Sequence, residues 1–342
     1  MRVRRHTHEL IVDVHCHMVV RSAVDFMREA APTAIRTMGE GNSLSAEVQR
    51  RHVAAIQLPL SDVPTRLKLM DEANIDIQAL SPSPAHYYYG APAEVAVAAH
   101  RMVNDHIAAT VAAHPDRFVG MGVVPMQAPE LAIAELRRVV KQLGFRGVEI
   151  GTNINGEDLS AARFRPFFAA AEELDVLIFL HPVGFTEPRR MTDYFLDNVI
   201  GNPLDSTIAV SHLIFGGVLK HYPRLKICVA HGGGFLPAYA GRMEHAYHAR
   251  EDCRVDIDQP PSHYLRKLYF DSIVFDAAQL EYLVQRYGAD RILLGTDFPY
   301  DMAEADAVGF IESAKLTDAQ RAAILGGNAA RLFDIPLKIP AR

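Results

Sequence analysis

Eight short runs rich in Val, Ile and Leu recur along the chain with helical patterns between them: Leu10–Val14, Ile75–Leu80, Phe118–Val124, Gly147–Ile150, Val176–Leu180, Lys226–Ala230, Leu268–Ser272 and Arg291–Gly295. Apolar runs that do not alternate with polar residues read as strands covered on both faces, as in a parallel sheet. The intervening helical patterns include Ala93–Ala113, Glu130–Leu143, Ala162–Glu173, Ala277–Tyr287 and Asp318–Leu332. Strand–helix alternation at this count predicts an α/β chain of the (β/α)8 TIM-barrel type, with a doubly wound open sheet as the competing topology.

The 342 residues form one barrel domain in this reading, and 49% hydrophobic content is enough for a large core. Two stretches exceed the usual connection length: residues 18–61 after the first strand, read as an insertion or lid, and Pro182 to Pro203 after the fifth. Both follow strands, so both overhang the C-terminal mouth of a barrel, where catalysis takes place. A net charge of -6 gives no reason to expect nucleic acid or an anionic membrane as partner. Three scattered cysteines suit a reducing compartment. With no apolar core of a signal peptide near the first residue and no run long enough to span a bilayer, a cytoplasmic location is expected.

The residues that close the strands carry the chemistry. His15 and His17 end the first run, His181 the fifth, His231 the sixth and Asp297 the eighth. Positions two apart in a strand share a face, so His15 and His17 can offer two imidazoles to one ion while Cys16 points away. Three imidazoles and a carboxylate form a zinc-type ligand set, leaving one histidine for acid–base work. Taken singly, each has a bland explanation: a strand-end histidine, a loop histidine before Pro182, a turn aspartate in Thr296-Asp297-Phe298-Pro299. Their joint placement at four strand ends does not.

Other histidines read differently. His6 and His8 follow no apolar strand and read as a solvated tail, while His245 and His248, spaced for one helix face, read as facing water. The Gly232-Gly233-Gly234 run after His231 serves either a tight turn or a close backbone approach to an anion. The fourth strand, ending Val148-Glu149-Ile150, has no lysine of the kind that bridges paired metals, which favours a single ion.

These motifs, in this order, resemble the amidohydrolase superfamily and, within it, the metal-dependent decarboxylases. The resemblance runs from Ile11 to the C-terminus. It rests on Asp13-Val14-His15-Cys16-His17, Arg66-Leu67-Lys68-Leu69-Met70-Asp71, Gln78-Ala79-Leu80-Ser81, His181-Pro182, Ile227 through Gly234, Leu294 through Pro299, and Gly327 through Phe333. It implies one divalent metal, zinc or alternatively manganese, held by His15, His17, His181 and Asp297. It implies that His231 activates the metal's water, and that Asp297 passes a proton to the carbon that loses its carboxylate. It also implies that Arg242 reaches into a neighbouring subunit's site to hold a substrate carboxylate, in a homodimer or larger homo-oligomer. A second carboxylate-binding arginine belongs in the first long loop, where Arg50 and Arg51 stand. One departure bears on substrate: a tryptophan that follows His-Pro in one member of that branch is replaced by Val183, and this chain has no tryptophan.

The implied reaction is non-oxidative decarboxylation of an unsaturated or aromatic carboxylic acid. Hydrolysis of an ester, amide or lactone, or hydration of a double bond, could use the same groups. A noncatalytic metal-binding barrel is the reading from another class, but it leaves His231 and Arg242 without a purpose.

Overall fold

A computed structural model describes residues 10–35, 43–183, 185 and 188–336; His6 and His8 lie outside them. Eight parallel strands form one sheet: β1 (Val12–Met18), β2 (Ile77–Pro82), β3 (Phe118–Val123), β4 (Gly147–Ile150), β7 (Leu177–Leu180), β8 (Lys226–Val229), β9 (Tyr269–Asp271) and β10 (Ile292–Leu293). A two-stranded antiparallel hairpin, β5 (Asn153–Ile154) and β6 (Glu157–Asp158), sits between β4 and β7. The sheet closes on itself where β1 meets the segment after β10: the Val14 amide donates to the Leu294 carbonyl at 2.9 Å and the His17 amide to the Phe298 carbonyl at 2.8 Å. The expected TIM barrel is therefore the observed fold, and the open sheet is excluded by this closure.

The helices Ala93–Ala113 and Ala277–Tyr287 have the expected bounds. The last expected helix is instead broken into Asp318–Ala322, a π-turn at Ala323–Gly327 and Asn328–Phe333. At Gly326 a side chain would strike the Leu10 carbonyl, so the widened turn lets this segment press against the foot of the barrel. The first excursion is also not a plain loop. It forms helices Arg21–Ala30, Leu44–Ala55 and Gln57–Ser61, the first of them burying Ala23 and Met27. Residues 36–42 of that excursion are outside the described set.

Alternate strand residues fill two separate cores. Ile77, Ala79, Met121, Leu177, Phe179, Cys228 and Leu293 pack together inside the barrel. Their neighbours in sequence, such as Leu80, Val148, Ile178, Leu180, Val229 and Ile292, pack outward against the helices. In β1 this alternation changes face. Val12 and Val14 belong to the inner core, but Cys16 and Met18 belong to the outer one. The cause is a β-bulge: Asp13 pairs with Gln78 but Cys16 with Leu80, so β1 carries one extra residue. The Asp13 carboxylate accepts the displaced His15 amide at 3.1 Å. Gln78 (3.0 Å) and the Thr296 hydroxyl (2.7 Å) hold Asp13 in turn, and buried Arg66 donates to Gln78 at 2.9 Å. This network fixes the bulge to β2 and to the segment after β10.

Candidate metal centre and active site

Because of that bulge, His15 and His17 both point into the barrel mouth. His181 follows the inward parity of Leu177 and Phe179, whereas Asp297 lies beyond β10 on a left-handed backbone (φ 60°), held to β1 by its amide, which donates to the His15 carbonyl at 2.7 Å. His231 does not follow from parity, since Cys228 and Ala230 are the inward residues of β8. Its backbone adopts a left-handed conformation (φ 56°), which turns the ring back towards the mouth. The glycines after it make this turn possible. Side chains at Gly232, Gly233 and Gly234 would strike Val274, Phe270 and the Pro203 carbonyl. The run thus serves a tight turn, with the helix Leu236–Ala249 starting only after Phe235.

Four of the five predicted groups form one compact set, which includes His231, and His17 stands beside two of its members. His15, His181, His231 and Asp297 each bring a ligand atom into a group no wider than 4.8 Å. His17 Nε2 stands 3.1 Å from both His15 Nε2 and Asp297 Oδ1, and His15 Nε2 is 3.4 Å from the same oxygen. Ligand atoms bound tetrahedrally at zinc-like bond lengths stand roughly 3.3 Å apart, so these spacings fit one small divalent ion. The burial also fits. Both ring nitrogens of His181 are buried with no hydrogen-bond partner, an arrangement that is costly unless a lone pair is used. Burial, then the neighbouring His17, His15 and His231 rings, hold His181 well below the usual histidine pKa, in the neutral form that ligates metal.

Two carboxylates that sequence reading passed over surround this group. Asp271, at the end of β9, takes His15 Nδ1 at 2.6 Å and the amides of His231 (2.9 Å) and Gly232 (2.7 Å). Although burial pushes its pKa up, His15 and these donors hold it below the ordinary aspartate value. With Nδ1 so engaged, His15 turns Nε2 to the ion site, the usual outer support of a ligating histidine. Glu149, at the end of β4, accepts from the Tyr87 hydroxyl at 2.8 Å, while its other oxygen lies 3.9 Å from His17 Nδ1. Burial raises its pKa. Both acids sit at inward positions of otherwise apolar strands, and a lone acid at such a position is the sequence signal for them. Tyr300, whose hydroxyl pairs with Ser83 at 2.7 Å, places its ring 5.3 Å from that of His17 and adds an aromatic wall.

The arginines are placed differently. Arg51 is exposed on helix Leu44–Ala55, 4.0 Å from Glu47, and Arg50 is exposed beside it. Arg242 is exposed on helix Leu236–Ala249. Among the described residues, none of the three makes a hydrogen bond or ion pair with the histidine–aspartate group of its own chain. His245 and His248 face solvent, as expected. Tyr194 is 84% exposed, whereas Tyr87 and Tyr89 are buried and stacked.

A closed parallel barrel with four histidines and an aspartate gathered at its C-terminal mouth defines a barrel metalloenzyme. The chain belongs to the amidohydrolase family, whose model matches residues 12–335. It is 38% identical over 276 residues to the 2-amino-3-carboxymuconate-6-semialdehyde decarboxylase of Dictyostelium discoideum, covering 80% of this chain and 77% of that one. In structure it is similar to the 5-carboxyvanillate decarboxylase of Sphingomonas paucimobilis, with a TM-score of 0.85, 28% identity, and coverage of 96% of this chain and 99% of that one. A dihydroxybenzoic acid decarboxylase from Polaromonas sp., solved with bound manganese and the inhibitor 2-nitroresorcinol, matches with a TM-score of 0.80 and 26% identity over 96% of this chain and 97% of that one.

Proposed function

We propose that this chain is a metal-dependent, non-oxidative decarboxylase, a carboxy-lyase acting on an unsaturated or aromatic carboxylic acid. The observation that carries the reading is the convergence of His15, His17, His181, His231 and Asp297 within one barrel mouth, in a chain whose relatives include several decarboxylases. His15, His17, His181 and Asp297 hold one divalent ion, zinc by the nitrogen-rich donor set, with manganese the alternative. Such an ion supplies positive charge to substrate oxygens and stabilises negative charge that develops on them.

The chain's own residues do the rest. Decarboxylation breaks the bond between a carbon and its carboxylate; carbon dioxide leaves, the electron pair stays on the carbon, and a proton must replace what left. His231 is the proton carrier. Its Nε2 is 3.7 Å from Asp297 Oδ2, which puts Asp297 next to both the ligand group and the carrier. Burial raises the Asp297 carboxyl pKa, but His15, His17 and His231 hold it well below the ordinary value. Standing between the ligand group and His231, Asp297 is placed to hand a proton to the carbon. Tyr87, Glu149 and Tyr300 line and stiffen the mouth around His17.

Substrate carboxylate binding falls to Arg242 of a neighbouring subunit in a homodimer, with Arg51 or Arg50 of the first excursion as the second cation. Arg242 is exposed on its helix, and Tyr239 one turn earlier is 56% exposed, which leaves an aromatic and a guanidinium free for a partner. The excursion 18–61 acts as the lid: His52 on its helix Leu44–Ala55 lies 3.9 Å from Asp301, four residues beyond Asp297. The deciding experiment measures carbon dioxide release and hydrolysis in parallel for muconate-like and hydroxybenzoic acids, and for esters and lactones. Carbon dioxide from acids without ester or lactone turnover is the expected result; the reverse pattern overturns the reading. Among the described residues no helix is long and apolar enough to cross a membrane.

A further inference from the structure

A groove of about 330 Å³ opens on the outside of the barrel between helix Leu236–Ala249, helix Pro261–Leu265 and helix Ala277–Tyr287. Its polar lining includes Arg266, Arg286, Ser262, Gln285 and Tyr287. Arg266 lies three residues before β9 begins and Arg286 six before β10 begins, so these two side chains stand towards the N-terminal end of the barrel, while Ala240 and Tyr282 continue the groove along its outer wall. Among the described residues, none that lines the groove belongs to the histidine–aspartate group, so the groove is separate from the metal centre.

Its lining contains two guanidiniums and no carboxylate, in a chain of net charge -6. Neither side chain has a carboxylate within ion-pair distance among the described residues; Arg286 rests over the Tyr282 ring at 6.0 Å. Glu244, which reaches this region, accepts the Ser262 amide at 3.1 Å. A second observation points to a ligand. Tyr287 is 8% exposed and lines the groove, and its buried hydroxyl makes no hydrogen bond of ordinary geometry. Burial raises its pKa, and Arg286, through a loose hydrogen bond and its charge, and Arg266, through its charge, oppose that rise. The hydroxyl has a donor beside it in Arg286 but no acceptor for its own proton, and a buried polar group left short of a partner is costly. The last turn of helix Ala277–Tyr287 offers carbonyls rather than amides, so the attraction for an anion comes from the two side chains.

We propose that this groove binds a small oxyanion, a phosphate or carboxylate group, forked by Arg266 and Arg286 and accepting from the Tyr287 hydroxyl.

The chain has no tryptophan, so Tyr282→Trp places a single indole in the groove while keeping a ring under Arg286. That variant is titrated with inorganic phosphate and, separately, with malonate, at constant ionic strength made up with chloride. A saturable change in indole emission is expected, and the tighter of the two ligands identifies the oxyanion geometry preferred. Adding Arg286→Gln should weaken binding about tenfold or more, the usual effect of losing a charge-assisted contact, and Tyr287→Phe less. Thermal unfolding of the unlabelled protein gives a second reading: a ligand of the native state raises Tm, and Arg266→Gln with Arg286→Gln should abolish the rise. A response that never saturates, or one unchanged in the arginine variants, overturns the proposal. So does an equal Tm in phosphate and chloride.

Discussion

Asp271 joins the ligand group to the proton carrier: one of its oxygens lies 2.6 Å from His15 Nδ1 and 2.9 Å from the His231 amide. A single carboxylate at the end of β9 thus orients an imidazole on β1 and braces the left-handed turn after β8. The other oxygen takes the Gly232 amide at 2.7 Å, so the carboxylate cannot swing without loosening the turn.

Asp271→Asn should therefore weaken both functions. An amide in this place offers one oxygen to at least three donors and presents N–H groups to the rest. Metal affinity is expected to fall about 10–100-fold, as on loss of other outer-shell partners. Turnover should stay depressed even when metal is restored in excess. Competition with a chelator and single-turnover rates at saturating metal measure the two parts.

His15→Ala should lose the metal and nearly all activity while the barrel stays folded. The strand core that holds the fold, Val12, Val14, Met121 and Leu177 among others, is apolar packing, and the imidazole meets it mainly at the Phe179 ring. Elemental analysis and circular dichroism check it; full metal occupancy in the folded variant refutes the ligand assignment.

His231→Ala should keep its metal yet lose about 10²–10⁴ in turnover, the range for a general acid–base group. Wild-type turnover in the metal-replete variant removes His231 from the reaction.

Mixing His231→Ala with Arg242→Ala tests the shared site. If Arg242 serves the neighbouring subunit, mixed dimers regain one site with both residues intact, and activity returns as subunits exchange. Each inactive parent should bind substrate or turn it over poorly alone, the Arg242→Ala parent by weaker carboxylate binding of roughly 1.5–3 kcal/mol. Exchange demonstrated by a labelled subunit, with no recovery of activity, excludes the inter-subunit arginine.

Acid should destabilise the fold through two buried histidines away from the metal centre. His86 Nε2 accepts the Val20 amide at 2.9 Å, and His100 Nε2 donates to the His86 and Tyr87 carbonyls at 3.0 Å. Burial lowers their pKa values to about 3 and about 4. Both stay neutral in the fold, while the unfolded chain gains protons below about pH 6.5. Their contribution is whole above that pH and is lost as pH falls towards the native values. Each proton steepens the fall by about 1.4 kcal/mol per pH unit. Denaturant unfolding between pH 7.5 and pH 5 should show a shallower slope for His100→Gln; an unchanged slope refutes the assignment.

The strand–helix alternation along the chain determined the barrel, because parallel strands buried on both faces must be apolar throughout and must be separated by crossover helices. Four histidines and Asp297 were legible for the same reason: each stands within three residues of the end of such a run. Asp271 and Glu149 hid inside the runs they close. The direction of the side chains was not in the sequence. Val12-Asp13-Val14-His15-Cys16-His17 alternates apolar with polar residues, and simple alternation would set His15 and His17 on the face opposite Val12 and Val14. The bulge, fixed by Asp13, Gln78 and Thr296 from three separate strands or loops, brings them inward. His231 likewise reaches the site only through a left-handed backbone that packing against Val274, Phe270 and Pro203 enforces on the glycines beside it. Local pattern specifies which segments are buried; which way a doubly buried side chain faces is settled by contacts between residues far apart in the chain.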